Sequence, residues 1–323
     1  MKELDYELLK KLYCIHSKSG SEKKMRRFIK RWISDNVPST VVTQDNTGNL
    51  YITKGDAESY PCLCAHMDQV QDFHPKDFTC IETDDVIMGY SPKMRKQCGL
   101  GADDKNGIFI ALSCLQKYDI LKCAFFAGEE IGCVGSSAAD IEFFNDCRFC
   151  AQIDRRGNDD MITSISSQMC SEEFYKAADC TTWGYKEEYG LMTDVEALRE
   201  NGVKASCINM SCGYYEPHTN QEFTSKPDLE KCYAFVCHLV EDCTAKYPFE
   251  GYTGKKYDTW SIWNDVRWGT NDELHDLMYE ALQTDPCTNF EDFYENYNYL
   301  FPNISKERQK EMYEECEWEL DVF

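Results

Sequence analysis

Five short segments of this 323-residue chain carry side chains able to hold a cation or move a proton, and they come in a fixed order: Ala65-His66-Met67-Asp68, Gly101-Ala102-Asp103-Asp104-Lys105, Gly128-Glu129-Glu130, Ile153-Asp154 and Pro217-His218. Imidazole and carboxylate donors together suit divalent cations, and two histidines with three carboxylates suffice for two such ions when one carboxylate, Asp103, is shared. A further glutamate beside a ligand can then move protons for a water activated by the pair, which is the chemistry of a two-metal hydrolase. Each segment alone is weak, because a His-x-Asp or Glu-Glu pair on an acidic surface reads as a solvated turn. The ordered set is specific.

The surrounding sequence supplies elements that can bring these groups together. Met25, Phe28, Ile29, Trp32 and Ile33 recur at helical spacing after Ser21, a good N-cap, so an amphipathic helix is expected over 21–34. Thr40 to Gln44 and Asn49 to Thr53 flank Asp45-Asn46-Thr47-Gly48, which fits a hairpin. Short apolar runs end on chemistry: 61–65 before His66, 121–127 before Glu129 and 149–153 before Asp154. In open α/β sheets ligands gather at the carboxyl ends of strands, so these groups can converge there. Asp103 opens a helix expected from Asp104 to about Tyr118, whose dipole favours an ionised carboxylate. Ser225-Lys226-Pro227-Asp228 reads as a capping box, and Leu229, Cys232, Val236 and Leu239 give the helix that follows an apolar face.

Composition sets the bounds. With 42% hydrophobic residues the chain can fill a sizeable core. The balance of 34 basic against 57 acidic residues gives −23, which argues against nucleic acid and anionic membrane surfaces as partners. An odd 19 cysteines, no secretory leader and no apolar run of membrane-spanning length point to a reducing cytoplasm. Cys62 and Cys64 precede His66 at alternate strand positions, which favours core packing over metal binding for both.

From about Leu8 to about Tyr247 the chain resembles the co-catalytic di-zinc exopeptidases, in their peptidase T-like branch. The likeness rests on the five segments, on the opening LLKKLYCIHSKSGSE and on Cys212-Gly213-Tyr214-Tyr215-Glu216-Pro217-His218, with Glu222 four residues beyond. It implies an α/β, three-layer zinc-exopeptidase-like fold with a mixed central sheet between helices. It also implies that His66 and Asp154 hold one ion, Glu130 and His218 the other, and Asp103 both. Glu129 would be the general base, and Asp68 would orient His66. Asp103 is chosen over Asp104 because it stands two before Lys105, and Asp104 reads as a helix-start carboxylate. Zinc is the expected metal, and cobalt or manganese would suit the same donors.

Ligand spacing departs from the family in one respect. Only 64 residues separate Asp154 from His218, too few for the lid domain that many relatives insert there. Dimer contacts and a transition-state-stabilising histidine come from that lid, so neither is carried over, and the oligomeric state is left open. Among the other histidines, His16 and His275 read as surface and His238 as packed, while His74 could lie near the site. The Tyr189 to Ala197 segment keeps the family's Thr-Asp at Thr193-Asp194 but loses an arginine and a glycine. Tyr214 and Tyr215 could line a side-chain pocket or simply pack. Arg155 and Arg156 could bind a substrate carboxylate or pair with acidic neighbours.

Residues 249–323 hold 18 acidic and 6 basic residues and a dense set of aromatics: Trp260, Trp263, Trp268, Phe290, Phe293, Tyr294, Tyr297, Tyr299 and Phe301. Such rings seldom stay in water. A mainly helical appendage packed on a catalytic domain of residues 1–248 is expected, with a partner surface or an active-site cover as sharper alternatives. The function implied is a metal-dependent exopeptidase acting on short peptides, probed against an N-acyl amino-acid deacylase, a carboxypeptidase and a non-catalytic binding protein.

Overall fold

Asp45 shows how locally the first hairpin is specified. One of its carboxylate oxygens accepts the backbone N–H groups of Thr47, Gly48 and Asn49 at 2.9, 2.8 and 3.0 Å, closing a turn that Gly48 completes at φ 100°. Strands β1 (Thr40–Gln44) and β2 (Leu50–Lys54) leave this turn antiparallel, with Gln44 opposite Leu50. The computed structural model describes residues 4–251, 278, 282, 289–297, 305, 306, 308–310 and 313.

Eight strands form the central sheet. With β3 (Tyr60–His66), β7 (Leu121–Phe126), β8 (Cys147–Arg155), β9 (Asp160–Ser164), β10 (Lys186–Tyr189) and β11 (Ser206–Ser211), the order is β1-β2-β7-β3-β8-β11-β9-β10. The central strands β7, β3, β8 and β11 run parallel, while β2 and β9 flank them antiparallel. Their burial on both faces matches the continuous apolar runs of the sequence.

Alternate strand residues sort into two cores. Leu63, Ala65, Phe125, Phe149 and Ala151 pack with helices α1 (Tyr6–Tyr13), α2 (Lys23–Asn36), α3 (Ala102–Lys117), α5 (Glu172–Ala178) and α7 (Lys226–Asp242). Cys62, Cys64, Ala124, Phe126, Cys150 and Cys207 pack with Val195 and Leu198 of α6 (Asp194–Glu200) and with Phe144. This is a mixed sheet between two helical layers.

A smaller sheet positions one loop of the site. It joins β12 (Tyr214–Tyr215), β13 (Phe223–Ser225), β5 (Val86–Ser91) and β4 (Thr79–Glu82), with β6 (Lys96–Cys98) on β5. His218 lies on the link between β12 and β13.

Several boundaries differ from the sequence expectation. Helix α2 starts at Lys23, and Ser21 does not cap it; Glu22 holds that position without a side-chain cap. Ser225 precedes α7 without capping its backbone; its hydroxyl meets Asp228, which also accepts from Tyr215 at 2.8 Å and Asn158 at 2.7 Å. Asp103 and Asp104 fall within the span of α3 yet are not helical, so regular turns begin only at Lys105.

The interval from Asp154 to His218 is taken up by β9, α5, β10, α6, β11 and β12 of the two sheets, with a short α4 (Val134–Ser137) earlier in the chain. No lid domain is inserted there. The chain divides into two compact units, Met1–Lys256 and Tyr257–Phe323, against an expected boundary at 248. In the second unit a helix spans Phe290–Tyr297, and Phe290 and Phe293 place their rings 5.6 and 5.5 Å from Tyr313. Trp260, Trp263, Trp268, His275, Tyr299 and Phe301 lie outside the described residues. Among the described residues no helix is long and apolar enough to cross a membrane.

Candidate metal centre

Because β7, β3, β8 and β11 are parallel, their carboxyl ends lie along one edge of the sheet, and the chemistry collects there. His66 is the last residue of β3, Asp154 is the penultimate residue of β8, and Glu129 and Glu130 follow β7 after Ala127 and Gly128. Asp103 enters from the start of α3. Helix α3 approaches β8 closely at Gly107, where a Cβ would stand 2.5 Å from both the Asp104 carboxylate and the Ile153 carbonyl oxygen.

Asp103 stands between the two histidines. Its Oδ1 is 2.9 Å from His66 Nε2, and its Oδ2 is 3.3 Å from His218 Nε2. On the first side Asp154 Oδ1 lies 3.6 Å from His66 Nε2; on the second Glu130 Oε2 lies 3.2 Å from His218 Nε2. Ligand atoms of His66, Asp103 and Asp154 fall within 4.8 Å of one another, as do those of Asp103, Glu130 and His218. The backbone of His218 is left-handed, at φ 66°.

The electrostatics are those of crowded carboxylates. Burial first, then neighbouring acidic charge, holds Glu129, Glu130 and Asp154 above the usual carboxylate range. Burial opposes ionisation of Asp103 as well, but hydrogen bonds from His218 and His66 outweigh it and hold this group well below that range. Its low value comes from the two rings rather than from a helix dipole, since the residue is not helical. Burial would lower both histidines; Asp154 and Asp103 nevertheless raise His66 well above its ordinary value, and Glu130 with Asp103 pushes His218 up to about 12.

These donors form two groups, each of which could hold a metal ion. Glu130 Oε1 is buried with no hydrogen-bond partner, an arrangement that costs free energy unless a cation completes it. The mixed imidazole and carboxylate donors match zinc and its neighbours.

Surrounding residues fix the donors. Asp68 receives the N–H groups of Glu129 and Glu130 at 3.0 and 3.2 Å and the Ser19 hydroxyl at 2.8 Å, and its carboxylate lies 3.4 Å from His66 Nδ1. That ring nitrogen is nearer the Asp68 carbonyl oxygen, at 3.1 Å. Asp104 accepts from the N–H of His66 at 3.1 Å and of Gly107 at 3.0 Å, which makes it the start of the regular helix. Glu222 accepts from the N–H groups of Gly101 and Asp103 at 2.6 and 3.1 Å.

Gln152 and Asn209 were not among the sequence candidates. Gln152 donates to Asp154 at 2.9 Å and to Asp194 at 3.1 Å while accepting from Thr193 and the Val195 N–H. Asn209 bonds both backbone polar groups of Asp154, at 3.0 and 2.8 Å. The available signal was polarity at buried positions of apolar strands, in Cys150-Ala151-Gln152-Ile153 and Cys207-Ile208-Asn209-Met210.

The remaining candidates separate. Tyr214 is buried and donates to Asp154 Oδ1 at 3.3 Å, whereas Tyr215 stacks on Phe223 at 5.1 Å. Tyr215 lines an open groove of about 350 Å³ with Arg156, Gly157, Asp159, Asp160, Glu216 and Pro217. Arg155 pairs with Asp160 at 3.2 Å. His74 stacks on Phe78 at 4.0 Å and belongs to neither donor group. His16 is half-buried against the Gln71 carbonyl oxygen at 2.6 Å, and His238 packs on Trp183 at 5.2 Å.

No protein-family model matches the chain, and no curated protein sequence does. Solved structures do. Aminopeptidase PepT from Bacillus cereus superposes with a TM-score of 0.62 at 15% identity, over 74% of this chain and 97% of that one. A tripeptidase from Staphylococcus aureus gives 0.58 at 15% identity over 73% and 96%. An aminopeptidase from the archaeon Desulfurococcus kamchatkensis gives 0.57 at 15% identity over 73% and 94%. The chain therefore has the fold of these aminopeptidases and this tripeptidase, as the order of its His, Asp and Glu segments led one to expect.

Proposed function

We propose that this chain is a two-metal exopeptidase that removes residues from the amino end of short peptides. The observation that carries the proposal is the position of Asp103, whose two carboxylate oxygens each face a different histidine. One carboxylate placed so serves two cations.

In this reading His66, Asp103 and Asp154 hold one cation and Asp103, Glu130 and His218 the other, with zinc the expected metal and cobalt or manganese able to replace it. The cations, when bound, make water more acidic and polarise the scissile carbonyl. Glu129 takes the proton of the attacking water and hands it to the leaving amine. Its environment suits that exchange: the carboxylate is buried, is raised above the usual range, and meets the weak Cys133 thiol donor at 3.8 Å and the His66 ring at 4.0 Å. Asp68 positions Glu129 through its backbone and His66 through its ring. Tyr214 and Gln152 hold Asp154 from two sides. Tyr215 and Arg156 offer an aromatic face and a cation to the substrate beyond the metals.

The test is mass-spectrometric hydrolysis of unblocked di- and tripeptides by chelator-stripped protein with zinc, cobalt or manganese restored. Release of the amino-terminal residue that requires metal is expected. Release from the carboxyl end would make the enzyme a carboxypeptidase, and metal uptake without any hydrolysis would leave the binding-protein alternative.

A further inference from the structure

Cysteines gather on one face of the central sheet near the starts of β3 and β8, a few residues back along the strands from His66 and Asp154. Cys62 of β3 stands in register with Cys150 of β8, and Cys150 with Cys207 of β11, so three parallel strands set their thiols in a row at the usual spacing of about 4.8 Å. Cys147, three residues before Cys150, would face the opposite side in a regular strand. The β3–β8 register slips here, since Tyr60 faces Cys147 but Pro61 faces Phe149. That irregularity swings Cys147 onto the face of Cys150, as bulges do when they re-aim a side chain.

The sulfur atoms of Cys62, Cys147 and Cys150 lie within 4.8 Å of one another. Thiolates around zinc at about 2.3 Å are separated by about 4 Å, so small side-chain rotations suffice. Only Cys147 of the three is eased towards the thiolate: burial first pushes Cys62 up, and hydrogen bonds with Cys147 and Cys207 push Cys150 up. Lys122, opposite Cys62 across β7 and β3, is a buried cation beside the cluster that is also paired with Asp146. Burial would raise Cys147, but hydrogen bonds from Cys150 and Cys62, with Lys122 nearby, bring it down to about 5.

We propose that Cys62, Cys147 and Cys150 form a second metal site, sulfur-ligated and suited to a thiophilic cation such as zinc or monovalent copper. Binding replaces the thiol protons, which pass to solvent. The site is separate from the His66 and Asp154 centre: Cys62 and Cys150 each precede those ligands by four residues on their strands, about 13 Å. Cys147 opens β8 and is 5% exposed, which gives the ion a route in. A metal here would fasten the starts of β3 and β8.

The experiment uses the full chain, reduced and stripped of metal, titrated with cobalt(II) as the probe. Sulfur-to-cobalt charge-transfer absorption saturating near one ion per chain is expected. It should vanish in Cys147→Ser and persist in His218→Ala, which damages only the oxygen and nitrogen site, so failure of one site is distinguishable from failure of the other. Absence of the band, or its persistence in Cys147→Ser, overturns the proposal. If Cys147→Ser does not fold, alkylation of the wild-type chain decides: cadmium should slow modification of Cys147 at least tenfold, and equal rates with and without cadmium overturn the assignment.

Discussion

Asp68 accepts the backbone N–H of Glu129 at 3.0 Å, so the loop after β7 is fastened to the loop after β3 where proton transfer and metal binding meet. Its other oxygen takes Glu130 N–H at 3.2 Å and the Ser19 hydroxyl at 2.8 Å. Removing this carboxylate leaves buried donors without partners. Asp68→Ala is expected to lower metal affinity by about 10- to 100-fold and stability by about 1–3 kcal/mol. Ser19→Ala removes only one of these bonds and should cost about 1 kcal/mol or less. Zinc titration and denaturant melts of the two variants check the ranking; equal effects would mean that Asp68 does no more than its neighbour.

Glu129 and Glu130 are adjacent but differ in what they face. Glu130 Oε2 sits 3.2 Å from His218, within one donor group, whereas Glu129 Oε2 is 4.0 Å from His66 and belongs to neither. Glu129→Gln should therefore reduce turnover by about 10²- to 10⁴-fold with two metals still bound. Glu130→Gln should reduce the metal count towards one. Elemental analysis beside kinetics checks both, and loss of metal in Glu129→Gln would exchange the two roles.

The parts of the fold legible in the sequence were those with a local physical cause. Apolar runs before His66, Glu129 and Asp154 became β3, β7 and β8 because strands buried on both faces need such runs. The hairpin at Asp45 to Gly48 followed from one carboxylate and one glycine. The strands of the small sheet were not legible: β4 is exposed at three of its four residues and carries no periodic signal. Tyr214 and Tyr215 could not be told apart either, since neighbours in a strand point oppositely and only the tertiary partner decides which is buried. Gln152 and Asn209 belong to the same class, because polarity inside a strand announces a partner without naming it.

The pH dependence of stability should differ between metal-free and metal-loaded chain. Burial raises Glu129, Glu130 and Asp154, and it raises Asp194 and Glu222 to about 7. A carboxyl raised on folding binds more protons in the native state, so stability falls as pH climbs from its unfolded value towards the folded one. His66 and His218, also raised, act in the same sense above about 6.5. Asp103 is lowered and acts oppositely, but only below about pH 4. His74, His16 and Cys147, all lowered, act oppositely between pH 5 and pH 7 with or without metal at the histidine and carboxylate site. The expected signal is therefore the difference: zinc should raise the melting temperature more at pH 7 than at pH 5, and an equal or smaller gain at pH 7 would contradict the crowding of these carboxylates.

Substrate choice should turn on the free amine. The site is crowded with buried carboxylates, Glu129 and Asp194 among them, so a positively charged α-amine is attracted where an acetylated one is not. A charge-assisted hydrogen bond is worth about 1.5–3 kcal/mol, which predicts a fall of roughly 10- to 100-fold in kcat/KM when a dipeptide is N-acetylated. The groove beside Pro217 is the natural place for the neighbouring part of the substrate. There Tyr215→Ala should raise KM more than it lowers kcat, while Tyr214→Phe, which frees Asp154, should act mainly on kcat. Steady-state kinetics on matched free and acetylated peptides measure all three effects. Faster hydrolysis of N-acetyl amino acids than of free peptides would turn the assignment towards a deacylase built on the same metal ligands.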